Sequence, residues 1–76
     1  MTKSELYAEI EGILDVKSGS IRGDERLADT GRWDSLSAVM FMAMASEKLG
    51  QEISPGDLAK CSTVADLEAL FGNKVQ

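Results

Sequence analysis

Histidine is missing from this chain of 76 residues, and cysteine, proline, tryptophan and tyrosine each occur once. Each shortage closes off a chemistry. Without histidine there is no His-based triad, no imidazole general base and no imidazole metal ligand. The lone cysteine, Cys61, excludes an internal disulfide and a Cys-rich zinc site, and it suits a reducing compartment. Basic charge is also short. Eight Lys and Arg stand against thirteen Asp and Glu, for a net charge of -5. Neutralising phosphates dominates affinity for nucleic acid, so this balance argues against DNA or RNA as a partner. It argues equally against a polybasic membrane anchor. A basic protein surface is the natural complement. No apolar run approaches the roughly 18 residues a membrane-spanning helix needs. The start carries Glu5, Glu9 and Glu11 with no long apolar run, so no secretory signal is expected and the location expected is cytoplasmic.

What is present describes one small globular domain, residues 1–76. Hydrophobic residues make up 43% of the chain and charge is mixed, which separates it from disordered sequences. A chain this short buries only about 60% of its unfolded surface. At roughly 0.05–0.15 kcal/mol per residue, its stability is about 4–11 kcal/mol. That margin would hardly support a large enclosed active site.

Helical periodicity dominates. Thr2 and Glu5 have the spacing of a capping box. Leu6, Ile10, Ile13 and Leu14 then form one apolar stripe, predicting a first helix over about residues 3–15, weakened by Gly12. Residues 16–33 hold Gly19, Gly23 and Gly31 with Ser18 and Ser20, and read as a long loop. Val16, Ile21 and Leu27 would pin it, with a helical turn around Asp24–Asp29. Asp34 caps a second helix that ends near Gly50, with Lys48 in its last turn. Ser54-Pro55-Gly56-Asp57 opens a short third helix. Ser62 then caps a fourth over about 63–72, with Val64, Leu67 and Phe71 on one side and Gly72 as its stop. No segment alternates as a strand would, so the fold class expected is all-α.

The second helix is unusual. Residues Ala38 to Ala45 are apolar without a break. Ala38, Phe41, Met42, Ala45 and Leu49 cluster on one side and read as the core face. Leu36, Met40, Ala43 and Glu47 fall on the opposite side. A helix apolar all round is either buried all round or binds something. Three short neighbours cannot enclose it, so the surplus face, rimmed by Glu47 and Ser37, is a candidate docking surface. Periodicity leaves Leu36, Met40 and Ala43 open between docking and packing. Ser35 follows the cap, at the electropositive end of the helix, where an attached anion would gain about 0.3–1 kcal/mol. On local physics alone it is an ordinary first-turn serine.

The stretch Gly31-Arg32-Trp33-Asp34-Ser35-Leu36-Ser37, at the mouth of an apolar helix, resembles the attachment site of acyl and peptidyl carrier proteins. The likeness covers nearly the whole chain and includes Glu52-Ile53-Ser54 before the short third helix and Ser62-Thr63-Val64-Ala65-Asp66-Leu67 opening the last. It implies a four-helix bundle with three longer helices, a short third helix and a long loop between helices one and two. It implies that Ser35 is esterified with 4′-phosphopantetheine from coenzyme A by a phosphopantetheinyl transferase. The arm's thiol would then hold an acyl or aminoacyl group as a thioester for loading and condensing enzymes. The chain itself would catalyse nothing. By the same resemblance Asp34 and Leu36 match positions read by partners, Met40, Ala43 and Glu47 complete the docking face, and Val39, Ile53, Leu58 and Cys61 match the lining of a groove for the carried chain.

Departures narrow the reading. Fatty-acid-synthesis carriers bear several acids along helix two, but residues 32–48 here hold only Arg32, Asp34, Glu47 and Lys48 and are neutral. Docking should be more apolar and less salt-sensitive. A specialised carrier in a polyketide, peptide or modified fatty acid pathway is therefore expected, and Trp33 before the motif suits one. Cys61 stands where an aliphatic residue is common and reads as a small buried hydrophobe rather than a nucleophile. A monomer is expected, with exposed Met40 and Met44 supporting at most weak self-association. The rival reading is an unmodified helical adaptor that binds partner proteins through helix two.

Overall fold

The computed structural model describes residues 1–76. It contains four helices: α1 (Lys3–Leu14), α2 (Ser35–Leu49), α3 (Pro55–Ala59) and α4 (Val64–Ala69). Two 3-10 turns, Leu27–Thr30 and Gly72–Lys74, complete the secondary structure, and there is no strand.

The first helix begins where its capping box predicts. The Glu5 amide donates to Thr2 Oγ1 and the Thr2 amide donates to Glu5 Oε1. Leu6, Ile10 and Leu14 point into the core and are fully buried. On α2, Asp34 accepts the Ser37 amide at 2.9 Å, and Gly50 closes the far end with φ +62°, a conformation glycine adopts without strain. Lys48 pairs with Glu9, while Arg32 lies 3.5 Å from Asp15. These two contacts show that α1 and α2 run antiparallel, so the end of α1 stands beside the start of α2.

The long loop is ordered by polar contacts. Glu11, buried on α1, accepts the Ile21 amide at 3.0 Å. Glu25 accepts the amides of Arg22 and Gly23 at 2.7 Å each. The chain then pairs with the start of α4. The Ala65 amide donates to the Gly23 carbonyl at 2.8 Å, and that of Leu27 to Ser62 at 2.8 Å, around an antiparallel bridge between Arg26 and Thr63. Because Arg26 is extended in this pairing, the helical turn expected at Asp24–Asp29 starts only at Leu27. Leu27 is buried as expected, and Val16 and Ile21 pack on the core half-buried. Gly23 is required here: its φ is +116°, and a Cβ would stand 2.6 Å from Tyr7 Oη.

The last helix differs from expectation at both ends. Thr63, not Ser62, is its cap, because Asp66 reaches back to the amides of both residues and completes a capping box with Thr63. The helix stops at Ala69 rather than running to Gly72. The amides of Leu70 and Phe71 bond three residues back, to Leu67 and Glu68, which tightens the final turn. The α4 helix therefore has 6 residues against 5 in α3, and the bundle has two long helices rather than three.

Phe41 sits at the centre of the core. Its ring meets Phe71 at 5.7 Å and, edge-on, Trp33 at 6.2 Å. Met44 is buried beside it, so it cannot join Met40 in self-association. It lies three residues after Phe41, on the same helical face.

Candidate functional site

The start of α2 separates two serines two residues apart. Ser37 is only 5% exposed; its hydroxyl donates to the Arg32 carbonyl at 2.8 Å and approaches Asp34 Oδ1 at 3.1 Å. It belongs to the cap and is no part of the rim of a docking face, which corrects the expectation from sequence. The reason is local: a polar side chain three residues after an N-cap can turn back onto it. Ser35 lies outside this network and is exposed. Hydrogen bonds from the Ser37 amide, then from its hydroxyl, hold the Asp34 carboxyl below the usual carboxylate range. Asp34 is therefore an ionised, committed cap. It fixes where Ser35 stands, and it is a poor proton acceptor for the neighbouring hydroxyl.

Beside Ser35 lies an open cleft of about 250 Å³ between α2 and α3. Trp33, Ala38, Met42 and Leu58 give it apolar walls, and Asp34 and Ser35 stand at its edge. Met42 also borders a second cleft of about 340 Å³, formed with Val39, Ala43, Ser46, Glu52 and Ile53. A third, of about 310 Å³, runs behind α3 past Leu27, Leu58, Ala59 and Cys61. Trp33 borders both the first and the third.

The residues expected to line one groove are thus divided among three spaces. Val39 and Ile53 share the second, Cys61 lines only the third, and Leu58 belongs to the first and third. Burial, then the carboxylates of Asp66 and Asp57, pushes the Cys61 thiol up, and its Sγ donates to the Asp57 carbonyl at 3.5 Å. It is therefore no activated nucleophile. Sequence reasoning missed Ala38 and Met42 as cleft residues, because the apolar run of α2 gives no sign of which side α3 leaves open. The mutual spacing of Asp34 and Ser37 was a usable signal for the buried serine.

Leu36, Met40, Ala43 and Glu47 all lie exposed on α2. Leu36 is 67% exposed and Met40 42%; Val39, at 56%, carries the apolar surface from this face round to the second cleft. The alternative left open by periodicity is resolved in favour of an unpacked face. No group of three metal-binding side chains is placed to hold an ion, and no helix is long and apolar enough to cross a membrane.

The site thus offers an accessible hydroxyl at a helix start with apolar clefts beside it. The sequence model of the family described as "Phosphopantetheine attachment site" matches residues 4–71. The acyl carrier protein MbtL of Mycolicibacterium paratuberculosis is 32% identical over 71 residues, covering 88% of this chain and 80% of that protein. No solved structure gives a significant match.

Proposed function

This chain belongs to the phosphopantetheine-attachment family of acyl carrier proteins, and from that premise we propose that Ser35 is the residue that bears its prosthetic group. The chain is a carrier and not an enzyme, and its prosthetic group is covalently bound 4′-phosphopantetheine. The residues at the start of α2 fit such a group. A hydroxyl to be esterified by a second protein must be accessible, and Ser35 is exposed. An anion is favoured where unpaired backbone amides converge, and the phosphate would stand at the start of a helix of 15 residues. A flexible arm leaving that point has an apolar cleft within reach.

In this reading Ser35 Oγ forms a phosphoester with the phosphopantetheine phosphate as the pyrophosphate bond of coenzyme A breaks and adenosine 3′,5′-bisphosphate leaves. The hydroxyl proton passes to a base of the transferase, because Asp34 is committed to Ser37. When bound, the arm supplies a thiol that holds an acyl or aminoacyl group as a thioester. Asp34, Leu36, Met40, Ala43 and Glu47 meet the transferase and then the loading and condensing enzymes. Val39, Ile53 and Leu58 lie along surfaces that can shelter the cargo, whereas Cys61 lines only the cleft behind α3. The neutral charge of residues 32–48 supports a specialised pathway, making polyketides, peptides or modified fatty acids, over housekeeping fatty acid synthesis. We place the chain in the cytoplasm as a monomer of one domain, 1–76.

The observation that carries the proposal is the contrast between exposed Ser35 and buried Ser37 within one helical turn. Incubation with coenzyme A and a phosphopantetheinyl transferase, followed by intact mass measurement, tests it. One arm's mass is expected on the wild type and none on Ser35→Ala. No gain with a competent transferase, or an equal gain on the variant, would sink the assignment. An unmodified chain from its natural source would favour the adaptor reading instead.

A further inference from the structure

We propose that Trp33 is a specificity-determining wall: it closes the cleft beside Ser35 against the cleft behind α3 and so limits the cargo sheltered there to short apolar groups. The proposal rests on Ser35 bearing the arm. Three observations carry it. Trp33, Leu58 and Ala59 are the residues shared by the two clefts, so together they form the partition between them. Leu58 is buried, and Trp33 is half-buried with its ring edge-on to Phe41, itself fully buried and in contact with Phe71. The indole is thus braced against the core rather than free to swing. Its backbone is held on both sides as well, since the Arg32 carbonyl accepts the Ser37 hydroxyl and Asp34 caps α2.

Size gives the consequence. The Ser35 cleft, at about 250 Å³, falls below the roughly 300–1,000 Å³ of ordinary small-molecule sites. A short acyl group fits in front of the indole. A long chain is turned out along α2 or into water. If Trp33 were smaller, the space behind α3, lined by Leu27, Ala28 and Cys61, would become continuous with the first cleft.

Because Trp33 is the single tryptophan, the protein carries its own probe. Ser35 is loaded by the transferase with free, butyryl, octanoyl or palmitoyl phosphopantetheine, and intact mass confirms each product. A failure of loading would strike at the assignment of Ser35, whereas the measurements below address Trp33 alone. On loaded wild-type protein, shielding of Trp33 from acrylamide quenching is expected to rise from butyryl to octanoyl, with none further from palmitoyl. Thioester cleavage by hydroxylamine should be slowest for octanoyl, by about threefold if the group spends two thirds of its time sheltered. In Trp33→Leu the slowest cleavage should move to palmitoyl, while Trp33→Phe, which keeps a ring, should retain the wild-type order. Quenching that ignores the cargo, or strongest protection of palmitoyl in the wild type, would overturn the proposal. So would an unchanged order in a helical Trp33→Leu protein. The quenching series needs no variant, so it decides the matter even if Trp33→Leu fails to fold.

Discussion

The residues that shape this site do so through backbone groups more than through one another. Ser37 is the clearest case, since its hydroxyl satisfies the Arg32 carbonyl from inside the cap. Ser37→Ala is expected to cost about 1–3 kcal/mol in a denaturant titration, the usual penalty for a buried group left unpaired. It should still gain the arm's mass at Ser35. Tyr7 plays a similar part between elements, donating to Glu68 at 2.8 Å above Gly23. Burial, reinforced by the hydrogen bond to Glu68, pushes the phenol from 10.0 up to about 12. A raised pKa means that the folded state favours the protonated phenol. The contribution is whole below pH 10 and is lost as pH rises toward about 12. A urea midpoint that falls across that window in the wild type, and falls less in Tyr7→Phe, is the expected result. The Tyr7–Glu68 contact was not legible in the sequence, because its partners lie 61 residues apart in the chain. The Asp34 cap was legible, because capping is local.

Among the elements, helix starts carry an acid-sensitive theme. Glu5, Asp34 and Asp66 each accept backbone amides at a helix N-terminus, from Thr2, Ser37 and Ser62 respectively, and each is held below the ordinary range as a result. A lowered pKa means stability that is present above the ordinary values of 3.8 for Asp and 4.5 for Glu. It is lost as pH falls through the lower folded values. Helical circular dichroism under mild denaturant should therefore hold steady down to the ordinary carboxylate range and decline below it. Asp34→Asn keeps an acceptor at the cap and should flatten part of that decline. On α2, exposed Leu36 separates docking from packing. Leu36→Ala should leave stability within about 0.5 kcal/mol, as surface substitutions do, while raising the transferase KM. A stability loss with unchanged KM would return Leu36 to the core. Periodicity found the extent of α1, α2 and α3 but overran α4. The final turn is tightened by bonds three residues back, and an apolar stripe cannot distinguish such a turn from a helix.

At the scale of the whole molecule, a radius of gyration of 11.1 Å matches the roughly 11 Å of a compact domain this long, so the loop must lie against the bundle. Phe41 joins α2 to the tail through Phe71 and to the site through Trp33. Phe41→Ala is expected to cost about 3–5 kcal/mol. Against a total of about 4–11 kcal/mol, that should lower the denaturant midpoint by about a quarter or more. The all-α architecture was readable because each helix announces its own start. The pairing of the loop with the start of α4 was not, since an isolated bridge at Arg26 and Thr63 has no repeating pattern to reveal it.

The two ends of the chain lie together. The Lys3 amide donates to the Gln76 carbonyl at 2.9 Å and the Gln76 amide to Met1 at 3.0 Å. The antiparallel setting of α1 and α2 puts them about one α1 length, roughly 18 Å, from Ser35. A circular permutant with Gln76 joined to Met1 by a short flexible linker and new ends opened at the exposed Ser18–Gly19 tip should fold, since such sites tolerate cutting. By the same geometry, a scaffold grafted at either original end would hold the bundle by its base and leave the serine pointing away.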